Sequence, residues 1–206
     1  MKKLLELIRY LFQEMFPHPP PPSQRLHTTG FTGERLGAEF KDASWDIYTR
    51  HCVAVGQVRT ITFLGGAVVA GDYKCDVWQD GEFYGNKLDC FKWQSGIFRG
   101  KHLDGGHWND ANGECQAETV ELDSWSGKAC RAKRIDIDHW SGGLCEAKVA
   151  EIGDWEDGVF RGGTLAVGSW HGGTFEGDTF HGKWYGGVWK GRKFKGIDLS
   201  GQGLED

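Results

Sequence analysis

The chain has 206 residues, including 32 glycines, 10 tryptophans and 5 prolines, and its formal charge is −5. This length fits one domain with an appendage; aromatics at 13 % argue against disorder, and the absence of a Gly-X-Y period excludes collagen. The acidic balance argues against a nucleic-acid partner, which takes a basic face, and no run of roughly 18 apolar residues is present to span a membrane.

Residues 2–16 read as a short amphipathic helix. Leu4, Leu5, Ile8, Leu11, Phe12 and Met15 share one stripe, Phe16 extends it, and Lys2, Lys3, Glu6, Arg9 and Glu14 take the remainder. Glu6 and Arg9 interrupt what would be the apolar core of a secretory signal, and no small-residue cleavage site follows. Pro17 stops the helix, and Pro19 to Pro22 form a stiff spacer. So short a helix is marginal alone in water, so its stripe needs a partner surface. A helix docking on its own domain needs no spacer, which favours a larger protein assembly as partner; a membrane surface ranks below both.

An internal repeat sets the expected fold. Trp78, Trp93, Trp108, Trp125, Trp140, Trp155 and Trp170 recur at one constant step, and only the interval from Trp108 to Trp125 is longer. Within each unit large residues recur every five, giving three columns. The first runs from Phe63 through these tryptophans to Trp184. The second is Val68, Phe83, Phe98, Cys115, Cys130, Cys145, Phe160, Phe175 and Trp189. The third is Tyr73, Leu88, Leu103, Val120, Ile135, Ala150, Leu165, Phe180 and Phe194. Two extra residues sit in Asn109–Asn112, one is missing near Trp184, and Leu199 and Leu204 extend the step.

A five-residue step suits a short strand segment and a corner, and three steps close one coil. The expected fold is all-β: a three-sided parallel β-solenoid with about 15 residues per coil and nine coils stacked at about 4.8 Å. A coil through Tyr48, Val53 and Val58 is a weaker extension. Two residues after the second column every position is Gly or Ala, and Gly accompanies the phenylalanines whereas Ala accompanies cysteine and Val68. Such compensation marks a close-packed interior. Two residues before the second column all positions but Lys128 are Gly, as a corner requires.

The stacked cysteines read as small core residues, because in-register side chains point in parallel, a poor geometry for bridging. Cys52 has no evident partner. After the second column the sign of charge alternates from Arg131 through Glu146, Arg161 and Glu176 to Lys190, a ladder along the coils. After the third column stand Asp89, Asp104, Glu121, Asp136 and Glu151, a face for a cation or a basic partner, or simply a solvated acidic face. Ahead of the second column Ala67, Ile97, Ala129, Leu144, Val159 and Val188, broken by Glu82, Glu114 and Thr174, form a semi-apolar strip that could serve a lateral interface.

No nucleophile, phosphate-loop or metal-ligand pattern stands out, so no enzyme, cofactor or metal is expected. The segments Trp93-Gln-Ser-Gly-Ile-Phe98-Arg-Gly and Trp155-Glu-Asp-Gly-Val-Phe160-Arg-Gly-Gly resemble the Trp/Gly-rich repeat tracts of bacteriophage tail and other virion proteins, over residues 63–204. The five-residue step is similar also to pentapeptide-repeat proteins, from which the core residues and the three-step coil depart. The resemblance implies a non-enzymatic structural protein: 1–16 an anchor helix, 17–23 a spacer, 24–62 a lead-in with a first coil, and 63–206 the solenoid. Virion or cytoplasm is the expected location. A homo-oligomer, a bactofilin-like scaffold, a DNA-mimicking inhibitor and a carbohydrate-binding module are the alternatives.

Overall fold

The computed structural model describes the backbone of residues 46–53 and 57–204, with side chains at Phe63, Val68 and 71–204. The helix and spacer expected over 1–23 lie outside the described residues. Ten strands follow: β1 (Asp46–Val53), β2 (Gln57–Trp78), β3 (Glu82–Trp93), β4 (Ile97–Gln116), β5 (Thr119–Trp140), β6 (Leu144–Trp155), β7 (Val159–Trp170), β8 (Thr174–Trp184), β9 (Val188–Trp189) and β10 (Lys193–Asp198). All pair in parallel, in chain order from β1 to β8 and then β10, with β9 also on β8. The result is a β-solenoid of about eight turns with a repeat of roughly 15 residues.

The three sequence columns point inward. Every first-column residue from Phe63 to Trp184 is at most 2 % exposed. The second column is fully buried from Val68 to Phe175, and the third is buried from Tyr73 to Phe194. The positions two residues after the third column add a fourth inward row, with Cys75, Cys90, Leu122, Ile137, Ile152 and Val167 all buried. The eight tryptophans form one continuous stack, with ring centroids between 4.4 Å (Trp93–Trp108) and 5.4 Å (Trp125–Trp140) apart. This burial is the main stabilising contribution, because each indole removes a large apolar area from water.

Two uses of glycine are visible. Gly158 turns a corner with φ of 115°, and a Cβ there would lie 2.4 Å from the Gly143 carbonyl oxygen. Gly100 and Gly177 instead make room, since a Cβ would meet the ring tips of Phe98 and Phe175 at 2.6 and 2.7 Å. The compensation read from the sequence is therefore a direct contact. Where Lys128 replaces the corner glycine, β5 runs through without a break. The inserted residues shift the β4–β5 register between Asp110 and Glu114, and Asp110 holds the bulge by accepting hydrogen bonds from Gly96 N and Asn112 N, both at 2.9 Å. The missing residue appears as a register shift between Val167 and Ser169 against β8.

Three expectations are corrected. The first coil pairs Ile47 with Phe63 and Cys52 with Val68, in place of Tyr48 and Val53, because its offset exceeds the regular repeat by a single position. The lone Cys52 thus sits in the register of the second column. The nine coils become about eight turns, since the last row is incomplete: β9 has two residues and Trp189 is only partly buried. Leu199 does not extend the core but is 52 % exposed. Leu204 does reach it, folding back onto the end of the core.

Candidate functional site

Each outward face is a grid: strand alternation sends every second side chain out, and the parallel register stacks equivalent residues coil upon coil. The alternating ladder is in register throughout but bonded only in part, with no ion pair between Glu146 and Arg161. Arg131 Nε donates to Glu146 Oε2 at 3.2 Å, and Glu176 accepts from Arg161 Nε at 2.6 Å and from Lys190 Nζ at 2.8 Å. These two cations hold the Glu176 carboxyl below its usual range. The ladder flanks a shallow groove of about 570 Å³ floored by Ala117, Ala132, Ala147 and Gly162.

The acidic column is also in register, with Asp89 beside Asp104, Asp104 beside Glu121, and Asp136 beside Glu151. It is not a bare carboxylate stack. Lys74 Nζ donates to Asp89 at 2.6 Å, Lys87 Nζ to Asp104 at 3.0 Å, and Arg134 to Glu151 at 3.0 Å while lying 4.0 Å from Asp136. The hydrogen bond to Asp104 raises the Lys87 pKa. Most of the column's charge is thus matched on the surface, and among the described residues no group of three or more His, Cys, Asp or Glu side chains could hold a metal ion.

The tryptophan column presents no ring face to a ligand, which removes its use as a sugar-stacking ladder. Seven of its indoles, all but Trp155, have buried Nε1–H groups without a hydrogen-bond partner. The semi-apolar strip is mostly half-buried, with Ala129 fully covered and only Val188 exposed, at 51 %. Cys75, Cys90, Cys115, Cys130 and Cys145 are buried free thiols, and burial pushes the Cys115 and Cys145 pKa values up, away from the reactive thiolate. Among the histidines, His107 Nδ1 lies 2.9 Å from Ser124 Oγ and His139 Nε2 lies 3.2 Å from Glu156, both on open coil faces.

No family model, curated protein or solved structure matches the chain. The anchor residues Leu4, Leu5, Ile8, Leu11, Phe12, Met15 and Phe16 lie outside the described residues. No described helix is long and apolar enough to cross a membrane.

One surface escaped the sequence reading. From 179 to 197 there is no acidic residue, while Lys183, Lys190, Arg192, Lys193 and Lys195 all fall there. Pairing of β8 with β10 sets Thr179 beside Lys193, His181 beside Lys195 and Lys183 beside Ile197. This continues the register of the acidic column into a basic end. The run of cations was the available signal, masked by the chain's overall negative charge.

Proposed function

We propose that the chain is a non-enzymatic structural protein of a bacteriophage virion, a decoration, tail or attachment module. Segment 1–16 tethers it to a larger assembly, and the proline spacer holds the solenoid away. The solenoid is taken to be three-sided, one core column to each side. The observation that carries this reading is the unbroken stack of eight buried tryptophans, repeated coil after coil with ion pairs linking neighbouring coils on the outward faces. Such a body suits a stiff spacer. A virion or cytoplasmic location accompanies the reading.

The test compares the full chain with residues 23–206. The shorter chain should keep its melting temperature and strand-type circular dichroism but fail to appear in purified particles. Incorporation of the shorter chain at the full-length level would overturn the anchor and, with it, the proposed role.

A further inference from the structure

We infer that the C-terminal end of the solenoid is a binding surface for a single-stranded nucleic acid. The surface is a grid on two adjacent strands. On β8 the outward positions are Thr179, His181 and Lys183; on β10 they are Lys193, Lys195 and Ile197, each beside its β8 counterpart. Neighbours across the strands are about 4.8 Å apart and outward residues along a strand about 6.7 Å apart. Lys183, Lys193 and Lys195 are exposed. None of the three has a carboxylate partner among the described residues, whereas nearby Lys190 and Arg192 are held by Glu176 at 2.8 Å and Asp178 at 3.3 Å. One coil below, the positions in register with Thr179 and His181 are Thr164 and Ala166, so the nearest rows carry no acid either.

Spare cations alone would attract any polyanion. The second element is aromatic. Tyr185 follows Lys183 by two positions, is 43 % exposed, and stacks on His171 with ring centroids 4.9 Å apart and planes within 10°. An exposed ring fixed in this way just beyond the strand that carries the uncompensated Lys183 supplies the second of the two features that bind unpaired bases and their phosphates. The chain's net charge of −5 is set elsewhere, on coils where carboxylates outnumber the lysines and arginines that pair with some of them. No group on this grid distinguishes sugars, so DNA and RNA strands are expected to bind alike.

The experiment is fluorescence anisotropy of the full chain with fluorescein-labelled oligothymidylate and oligouridylate. Neutralising about three phosphates predicts a slope near −2 in log affinity against log salt, so that binding weakens roughly 20-fold between about 50 and 200 mM salt. The combined Lys183→Gln, Lys193→Gln, Lys195→Gln variant should lose roughly tenfold or more at the lower salt. Tyr185→Ala should lose roughly tenfold by itself. Lys74→Gln, at the far end of the same face, should bind as the native chain does, and unchanged melting curves establish that each variant is folded. Absence of salt-dependent binding overturns the inference, as does full binding by the triple lysine variant. Binding of heparin but not of the oligonucleotides, or an unchanged affinity in Tyr185→Ala, overturns it too, by reducing the surface to a general cation patch. Because residues 1–22 take no part, failure here leaves the tether reading standing, and the reverse holds.

Discussion

Trp155 donates its indole Nε1–H to the Gly172 carbonyl oxygen, 3.1 Å away on the next coil, while the equivalent groups of Trp140 and Trp170 on either side have no partner. The two kinds of site should respond differently to the same substitution. Trp→Phe removes part of a buried ring at either place. At Trp140 it also removes an unsatisfied donor, relieving a desolvation cost of about 1–3 kcal/mol; at Trp155 it breaks a hydrogen bond worth about 1 kcal/mol. Trp155→Phe should therefore be more destabilising than Trp140→Phe by about 2–4 kcal/mol, read as the difference in urea midpoints. Equal losses would mean that the orphan donors carry no penalty. Trp140→Ala, which empties a whole ring site, should cost about 3–5 kcal/mol.

Adjacent glycines at one corner make a second contrast. Gly143 has φ of 84°, and a Cβ there would lie 2.0 Å from the Gly127 carbonyl oxygen; a Cβ at Gly142 meets nothing within 4 Å. Gly143→Ala should cost about 1–3 kcal/mol or more through backbone strain and displacement of the lower coil. Gly142→Ala should be neutral or stabilising by up to about 1 kcal/mol, because it restricts the unfolded chain. Chemical denaturation of the two variants side by side decides the matter.

The core was legible because it repeats. Trp140 lies midway between Trp125 and Trp155, and a periodic column of large residues has few ways to be buried. The small residues beside Phe98 and Phe175 could be read for the same reason: volume must balance within each coil. The first coil departs from the sequence reading because its offset is longer by one position, so that Tyr48 and Val53 fit the regular period while Ile47 and Cys52, one position earlier, take the pairing. The outward faces were legible only in part. That Arg131 meets Glu146 follows from a single column, whereas Lys87 reaching Asp104 is a diagonal link between two columns that no one-column reading shows. The basic grid needed the pairing of β8 with β10, across the place where a residue is missing from the period.

Glu176 sets a pH dependence with a definite sign. It accepts from both Arg161 and Lys190, and its folded pKa lies below the ordinary value of 4.5. Its ladder contacts therefore contribute stability that is fully present above pH 4.5 and is lost as the pH falls through the lowered folded value. Glu176→Gln cannot make that contribution. The stability gap between native chain and variant should be constant from pH 7 to about 5.5 and shrink below pH 4.5, and salt should narrow it at neutral pH. A gap that persists unchanged at pH 3 would assign the variant's loss to packing and not to charge.

The end of the solenoid is closed by its own tail. Asp198 Oδ1 accepts from Ser200 N at 2.9 Å and Ser200 Oγ at 2.6 Å, and Asp198 Oδ2 accepts from Leu204 N at 3.0 Å. These bonds lower the Asp198 pKa and bring Leu204 back onto the end of the core. Gln202 Nε2 adds a bond to the Gly187 carbonyl oxygen at 3.0 Å. Beneath this cover β10 pairs on one side with β8, and an uncovered parallel strand edge above a packed aromatic core is a template for another chain. A chain ending at Asp198 should melt lower and show a light-scattering mass that rises with concentration, while the full chain's mass stays constant. Asp198→Asn should do the same more weakly, because the amide keeps only part of the acceptor set. If the shortened chain keeps both the mass and the melting temperature of the full one, the tail is not what guards the edge, and the lysines at 193 and 195 on the last strand become the residues to neutralise next.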